Sequence, residues 1–469
     1  MPPSLALFLW LILTVALLSW DPAKQSTTSP ALWVPVIWMF ILGSRLPSQW
    51  LGSPIGQAAQ ALEEGNPLDR TISSALLLLA FGILMSRSFK WGSFFGRNLA
   101  LTAFLGFALV SILWSDFPFV AFKRWIRDLG NYLVILVALS DRRPLEAIRT
   151  VLRRVSYLLV PLSILLIKYF AQIGKQYQFW TGADMYVGAT TSKNMLGVVC
   201  LISGLFFFWD TVTHWPERRM RRTKRLILVN VAFIAMTLWL LNLSSSATST
   251  VCLALGCLVI AAVHTKSLKR RPGLLRAMIP ACFCLYLVLA FVFNMNGQLA
   301  GAVGRDPTLT DRTKIWEVLL SMHTNPLVGT GYESFWLGPR FQFVQQKSGL
   351  GFLNEAHNGY LEVYLNLGLI GLFLLVAFLV ASYRTICRRL SSSSSLASLA
   401  LALWTLLVLY NCTEAAFKSQ LMWVVFLLGA LAVPERVTNL VRSVATAAAG
   451  NADAAQEVPF FLETTGQRR

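Results

Sequence analysis

Apolar runs recur along almost the whole chain, most of them about 15–20 residues long, and they constrain the fold more than any other feature. A helix of that length matches a bilayer core, where every backbone N–H and C=O must be satisfied within the segment. The runs do not alternate polar with apolar residues, so a transmembrane β-barrel is excluded. Only 13% of the residues are charged, roughly half the share of a soluble domain. The expected fold is all-α: a polytopic integral membrane protein with about 12–13 transmembrane helices. Runs fall near 5–20, 31–42, 71–86, 98–114, 119–140, 155–170, 195–213, 226–243, 248–264, 277–295, 360–383, 396–410 and 420–433. The first lacks a basic leader and a small-residue cleavage site, and reads as a retained span.

The net charge of +19 would point to nucleic acid in a soluble protein. Here the basic residues cluster in short segments: 142–154, 218–225, 266–276 and 384–389. That is the positive-inside bias, which orients the chain and contacts anionic lipid, and no nucleic-acid partner is expected. Segments 141–154, 214–225, 265–276 and 384–395 are then cytoplasmic, and 171–194 and 296–358 lie outside. The expected organisation is an N-terminal transmembrane bundle (1–295), a periplasmic loop with short helices (296–358), C-terminal transmembrane helices (359–433) and a cytoplasmic tail (434–469). Seven cysteines lie mostly inside apolar runs, so neither a disulfide framework nor a metal cluster is implied. Lys123, Arg124, Arg127 and Asp128 sit in the outer part of one span, where charges cost about 2.5–3.5 kcal/mol each at the helix centre. Either they snorkel to the interface or they face a polar cavity.

The chemistry-bearing residues gather on the outer face. In Asn354-Glu-Ala-His357-Asn358-Gly359-Tyr360-Leu-Glu362 a polar segment runs into a hydrophobic helix. At helical spacing His357, Leu361, Tyr364 and Gly368 would share one face. Upstream, Leu309, Trp316, Leu319 and Leu320 predict a short helix with Arg312 near its start. Gly329-Thr-Gly331 is no dinucleotide fingerprint, because no strand–helix unit surrounds it. A guanidinium matches phosphate oxygens and an imidazole takes protons near neutral pH, so the pair suits loss of a phosphate with attack by a hydroxyl. The plainer alternatives are a His357 that only caps its helix and an Arg312 paired with Asp311 or Glu317. Lys193 begins another span, where the macrodipole favours anions; either an anion lies between them or the lysine snorkels.

These residues together resemble the bacterial O-antigen ligase and O-antigen polymerase superfamily, including its exopolysaccharide polymerases. The resemblance rests on His357-x10-Gly368, Arg312-x3-Trp316, Asn325-Pro-Leu-Val-Gly-Thr-Gly with Phe335, Lys193-Asn194-x2-Gly197, Trp114-Ser115, and Ser44-Arg45 through Trp50-Leu-Gly. It covers most of the chain and is strongest over 300–372. Trp316 stands where the ligase pattern often has Leu, which leaves ligase and polymerase both open. The resemblance implies a cofactor-free, metal-independent, inverting glycosyltransferase of the bacterial inner membrane, acting on its periplasmic face. The donor would be an undecaprenyl-pyrophosphate-linked glycan, and the acceptor lipid A–core or another glycan. Carried over, Arg312 holds the pyrophosphate and His357 deprotonates or orients the acceptor hydroxyl, with Lys193 as a second phosphate contact. Asn194, Arg305, Tyr360 and Trp316 are the remaining expected substrate contacts. The rival reading is a transporter or flippase of lipid-linked sugars, which would be expected to show paired internal repeats; none is obvious.

Overall fold

A computed structural model describes residues 1–19, 29–52, 65–177, 182, 184–265, 273–274, 276–277, 279–281, 312–349, 353–391, 395–418 and 420–433. Its elements are helices α1 (Pro3–Ser19), α2 (Trp33–Leu42), α3 (Pro67–Ser86), α4 (Trp91–Arg97), α5 (Leu99–Val110), α6 (Pro118–Leu139), α7 (Pro144–Tyr169), α8 (Lys193–His214), α9 (Arg221–Ser244), α10 (Ala247–His264), α11 (Arg312–Leu320), α12 (Gly338–Ser348), α13 (Gly359–Ser391), α14 (Ser395–Tyr410) and α15 (Leu421–Ala430). Strands β1 (Lys175–Tyr177) and β2 (Asp184–Tyr186) form one small antiparallel hairpin. The fold is an all-α, multi-pass membrane bundle. Among the described residues six helices are long and apolar enough to cross a membrane, and the pair α4–α5, bent by 98°, makes a seventh if counted as one span. The apolar run at 277–295 lies largely outside the described residues.

Hydrophobicity on all sides marks the helices at the centre. All ten residues of α15 are buried, as is most of α7, α8 and α14. By contrast α1 and α3 expose Leu, Phe and Ile along much of their length, as expected for a lipid-facing surface. Small residues set the close crossings. A Cβ at Gly197 of α8 would meet Ser249 Oγ of α10 at 2.6 Å.

Side-chain contacts define two ends of the bundle. At one end Asn194, at the start of α8, reaches Glu414 beyond α14, and Thr248 of α10 meets Thr413 at 3.2 Å. At the other, Trp209 near the end of α8 donates to the Ser395 carbonyl that starts α14. The basic segments 142–143 and 218–222 lie at this second end, beside the C-terminal part of α8.

The helix ends shift two expectations. The segment 141–154, read as a basic loop, is helical from Pro144, and Arg149 and Arg153 are buried. Asp210 of α8 accounts for this: Arg153 Nη2 lies 2.6 Å from one carboxylate oxygen and Arg149 Nε 3.7 Å from the other. Asn230 of α9 adds a 2.8 Å hydrogen bond to the same carboxylate. The second correction concerns the face His357, Leu361, Tyr364 and Gly368 were expected to share. His357 lies before the helix in a left-handed conformation (φ 47), and Gly368 breaks α13 with φ 64 and ψ −164. The histidine is therefore placed by a turn and the glycine by a break.

Candidate active site

The break in α13 is held by the polar loop. Leu369 N donates to Pro326 O and Ile370 N to Leu327 O, while Thr330 N and Gly331 N donate to Leu365 O and Asn366 O. The backbone groups freed by the break thus find partners in Asn325–Gly331, as a low-dielectric setting demands. A Cβ at Gly368 would lie 2.3 Å from the Leu327 carbonyl carbon, so glycine is required for both its conformation and its space. This explains physically why an Asn-Pro-Leu-Val-Gly-Thr-Gly segment accompanies a glycine separated from His357 by ten residues.

A second small core carries the loop helices. Ile315 and Leu319 of α11, Phe341 and Val344 of α12, and Phe335 and Trp336 between them pack together. Trp316 Nε1 donates to Ala356 O at 2.9 Å. Glu362, buried in α13, accepts from Trp336 Nε1 at 2.6 Å and from Ala356 N at 2.9 Å. The residue before His357 is therefore fixed at both its N–H and its C=O. Asn358 then caps α13, its Oδ1 accepting from Tyr360 N and Leu361 N. Gly359 N donates to the carbonyls of Asn411 and Glu414, which ties this turn to the one following α14.

The result is a convergence on one carboxylate. Glu414 is buried, and its Oε1 accepts from Arg312 Nη2 at 2.6 Å and from Asn194 Nδ2 at 3.1 Å. Its Oε2 lies 3.4 Å from His357 Nδ1, and Glu355 Oε1 lies 3.2 Å from the same nitrogen. Lys418 Nζ is 3.7 Å from Glu355 and 3.8 Å from Glu362. Burial alone would depress the His357 imidazolium. The hydrogen bond to Glu414 and the charges of Glu355 and Glu414 outweigh it, with Arg312 opposing, and the net pKa lies above the ordinary 6.5. Lys418 behaves alike: burial lowers its pKa, but Glu362, Glu355 and Glu333 raise it further than burial and Arg124 lower it.

Arg312 is the first residue of α11 and pairs with Glu414 rather than with Glu317; the Asp311 alternative lies outside the described residues. Lys193 opens α8 beside the Ser192 cap and is exposed, next to the Asn194 that reaches Glu414. Trp316 and Tyr360 are turned inward: the Tyr360 hydroxyl donates to Val408 O, and its ring meets Phe417 edge-on at 5.0 Å. Arg305 lies outside the described residues. The outer charges of α6 face polar partners: Asp128 accepts from the Tyr332 hydroxyl at 2.6 Å, and Arg124 donates to Glu333 O. The remaining motifs brace this end. Arg45 donates to Thr190 O at 3.2 Å, three residues before Lys193, and Trp114 Nε1 donates to Val328 O at 3.2 Å. Glu414 and Lys418 escaped the sequence reading. They follow a buried apolar helix with no local pattern, 57 residues or more beyond His357.

The fold and this site define a multi-pass membrane protein whose polar chemistry gathers at one end of the helical bundle. Residues 231–376 match the model of the O-antigen ligase family. The chain is also similar to the exopolysaccharide production protein ExoQ of Rhizobium meliloti (strain 1021), at 29% identity over 322 residues, covering 64% of this chain and 67% of that protein. Both findings point to similarity with proteins of the O-antigen ligase/polymerase-like superfamily, the family model over residues 231–376 and the relative over about two thirds of the chain.

Proposed function

We propose that the protein transfers a glycan from an undecaprenyl-pyrophosphate donor to a hydroxyl of a glycan acceptor, on the periplasmic face of the bacterial inner membrane. The observation that carries this reading is the convergence of Arg312, Asn194 and His357 on Glu414. Three residues expected at the site from separate parts of the chain meet at one carboxylate, which contacts all three.

In the proposed reaction the acceptor O–H gives its proton to His357 through Nε2. Nδ1, facing Glu414 and Glu355, carries the other proton. The acceptor oxygen bonds to the anomeric carbon as the bond from that carbon to the pyrophosphate oxygen breaks. The electron pair leaves with the pyrophosphate, whose charge is met by Arg312 and Lys193. A single displacement inverts the anomeric configuration. Arg312 uses Nη2 for Glu414, and a guanidinium offers five N–H donors, so the rest of the fork suits phosphate oxygens. Trp316 and Tyr360 support the site by fixing Ala356 and the start of α13.

The similarity to an exopolysaccharide production protein favours a polymerase, with a growing or lipid-linked glycan as acceptor. The O-antigen ligase match keeps lipid A–core as the second reading. Reconstituted protein given the host's lipid-pyrophosphate-linked oligosaccharide distinguishes them. A product ladder without added core means polymerase; one glycan jump that requires core means ligase. Release of no lipid pyrophosphate in either case refutes the enzyme assignment and favours transport.

A further inference from the structure

The second end of the bundle carries a groove that this chemistry does not use. Its volume is about 460 Å³, and it is lined by Trp215, Arg218, Arg219, Lys224, Ile227, Leu228 and Val231. The lining is divided. Arg218, Arg219 and Lys224 form a cationic rim at the helix-connecting turn. Ile227, Leu228 and Val231 continue along α9 at one- and two-turn spacing from Lys224, on the same face. From Lys224 to Val231 the helix rises about 10 Å, so the apolar wall runs from the rim toward the bundle's middle. Leu228 is 71% exposed and Trp215 51%, so no part of the described chain covers the groove.

The rim is organised. Arg218 donates from Nη1 to the Trp215 carbonyl at 3.1 Å, and its guanidinium lies 5.2 Å from the Trp215 ring centroid. From Trp215 to Arg225 the chain carries six basic residues and one acid, Glu217, so this stretch holds more positive charge than its own acid can neutralise. A site cationic at the interface and apolar below it matches one chemistry: a phosphate carried on an acyl chain.

We propose that this groove binds an anionic glycerophospholipid of the leaflet that meets the basic turns. Its headgroup phosphate lies among Arg218, Arg219 and Lys224, and one acyl chain lies along Ile227, Leu228 and Val231. The site is independent of the glycosyl-transfer reading.

The test is native mass spectrometry of the full-length protein, titrated in detergent with phosphatidylglycerol, phosphatidylethanolamine or inorganic phosphate. The expected result is retained phosphatidylglycerol in preference to phosphatidylethanolamine. The R218Q/R219Q/K224Q variant should lower its affinity on the order of 100-fold. The R221Q/R222Q variant, which removes basic residues outside the groove lining, should change it several-fold at most. A Leu228→Ser/Val231→Ser variant with the rim intact should also weaken lipid retention, and guards against misfolding of the triple variant. Equal retention of both lipids overturns the proposal. So does an unchanged affinity in the triple variant, or binding of inorganic phosphate as tight as that of the lipid.

Discussion

Glu414→Gln removes one charge and almost no volume, and so isolates what the buried carboxylate does. In the native protein Glu414 supplies both a hydrogen bond and a charge that raise the His357 pKa. In the variant burial still depresses the imidazolium, Arg312 still repels it, and Glu355 alone opposes them. Loss of an opposite charge at this distance removes the largest of the contributions that hold the imidazolium, so the His357 pKa should fall. If His357 is the base, activity is lost as pH falls through its pKa, and the acid limb of kcat/KM should move to lower pH in the variant. Carbon-13 NMR of histidine-labelled protein gives the same answer without turnover, since only four histidines must be resolved and His357→Asn identifies the signal. The sign also holds for stability. A raised folded pKa contributes stability that is full below the unfolded value near 6.5 and is lost as pH rises through the folded value. An acid limb and an NMR titration that stay in place, or move upward, refute the pairing of Glu414 with His357.

Arg312→Ala should lower kcat on the order of 100- to 1,000-fold in the lipid-pyrophosphate release assay, with helix content by circular dichroism unchanged. Gly368→Ala places a Cβ 2.3 Å from a backbone carbon at φ 64, so it should destabilise by about 3 kcal/mol or more, read as a lower thermal midpoint in detergent. Asp210→Asn removes the buried negative charge that Arg153 meets at 2.6 Å and should cost several kcal/mol in denaturant unfolding, while turnover per folded molecule stays near native because the residue lies at the opposite end from His357.

What was legible in the sequence followed from local physics. Length and hydropathy located the six long apolar helices among the described residues, since a bilayer imposes both on each segment separately. His357, Arg312 and Lys193 could be singled out because polar groups at the ends of apolar helices stand out without knowledge of neighbours. What could not be read was pairing across the bundle. Arg149 and Arg153 counted as loop charges until Asp210, 57 residues beyond Arg153, was brought against them. Glu414 is a similar case, an acid after an apolar helix that gains meaning only when α11, α8 and the His357 turn reach it. The His357-to-Gly368 spacing reads as a helical face from periodicity alone. Only the hydrogen bonds from 325–331 show that the glycine serves a break.

The same pairing bears on whether the site uses a metal. Ligand atoms of Glu355, His357 and Glu414 lie within 4.8 Å of one another, close enough to surround a divalent cation. Those carboxylates already face two cations, Arg312 at 2.6 Å from Glu414 and Lys418 at 3.7 Å from Glu355. An incoming ion would have to compete with both, and with the proton that these carboxylates favour on His357. It would also draw Glu414 away from the guanidinium that we assign to the leaving pyrophosphate. A cation held by protein groups can meet that developing charge unaided, and pyrophosphate leaves readily. Transfer should therefore persist in EDTA, and a thiophilic or imidazole-binding ion such as Zn²⁺ should inhibit, more strongly at higher pH where His357 loses its proton. Activity abolished by EDTA and restored by Mg²⁺ would show that the three ligand atoms, rather than Arg312, carry the charge of the departing group.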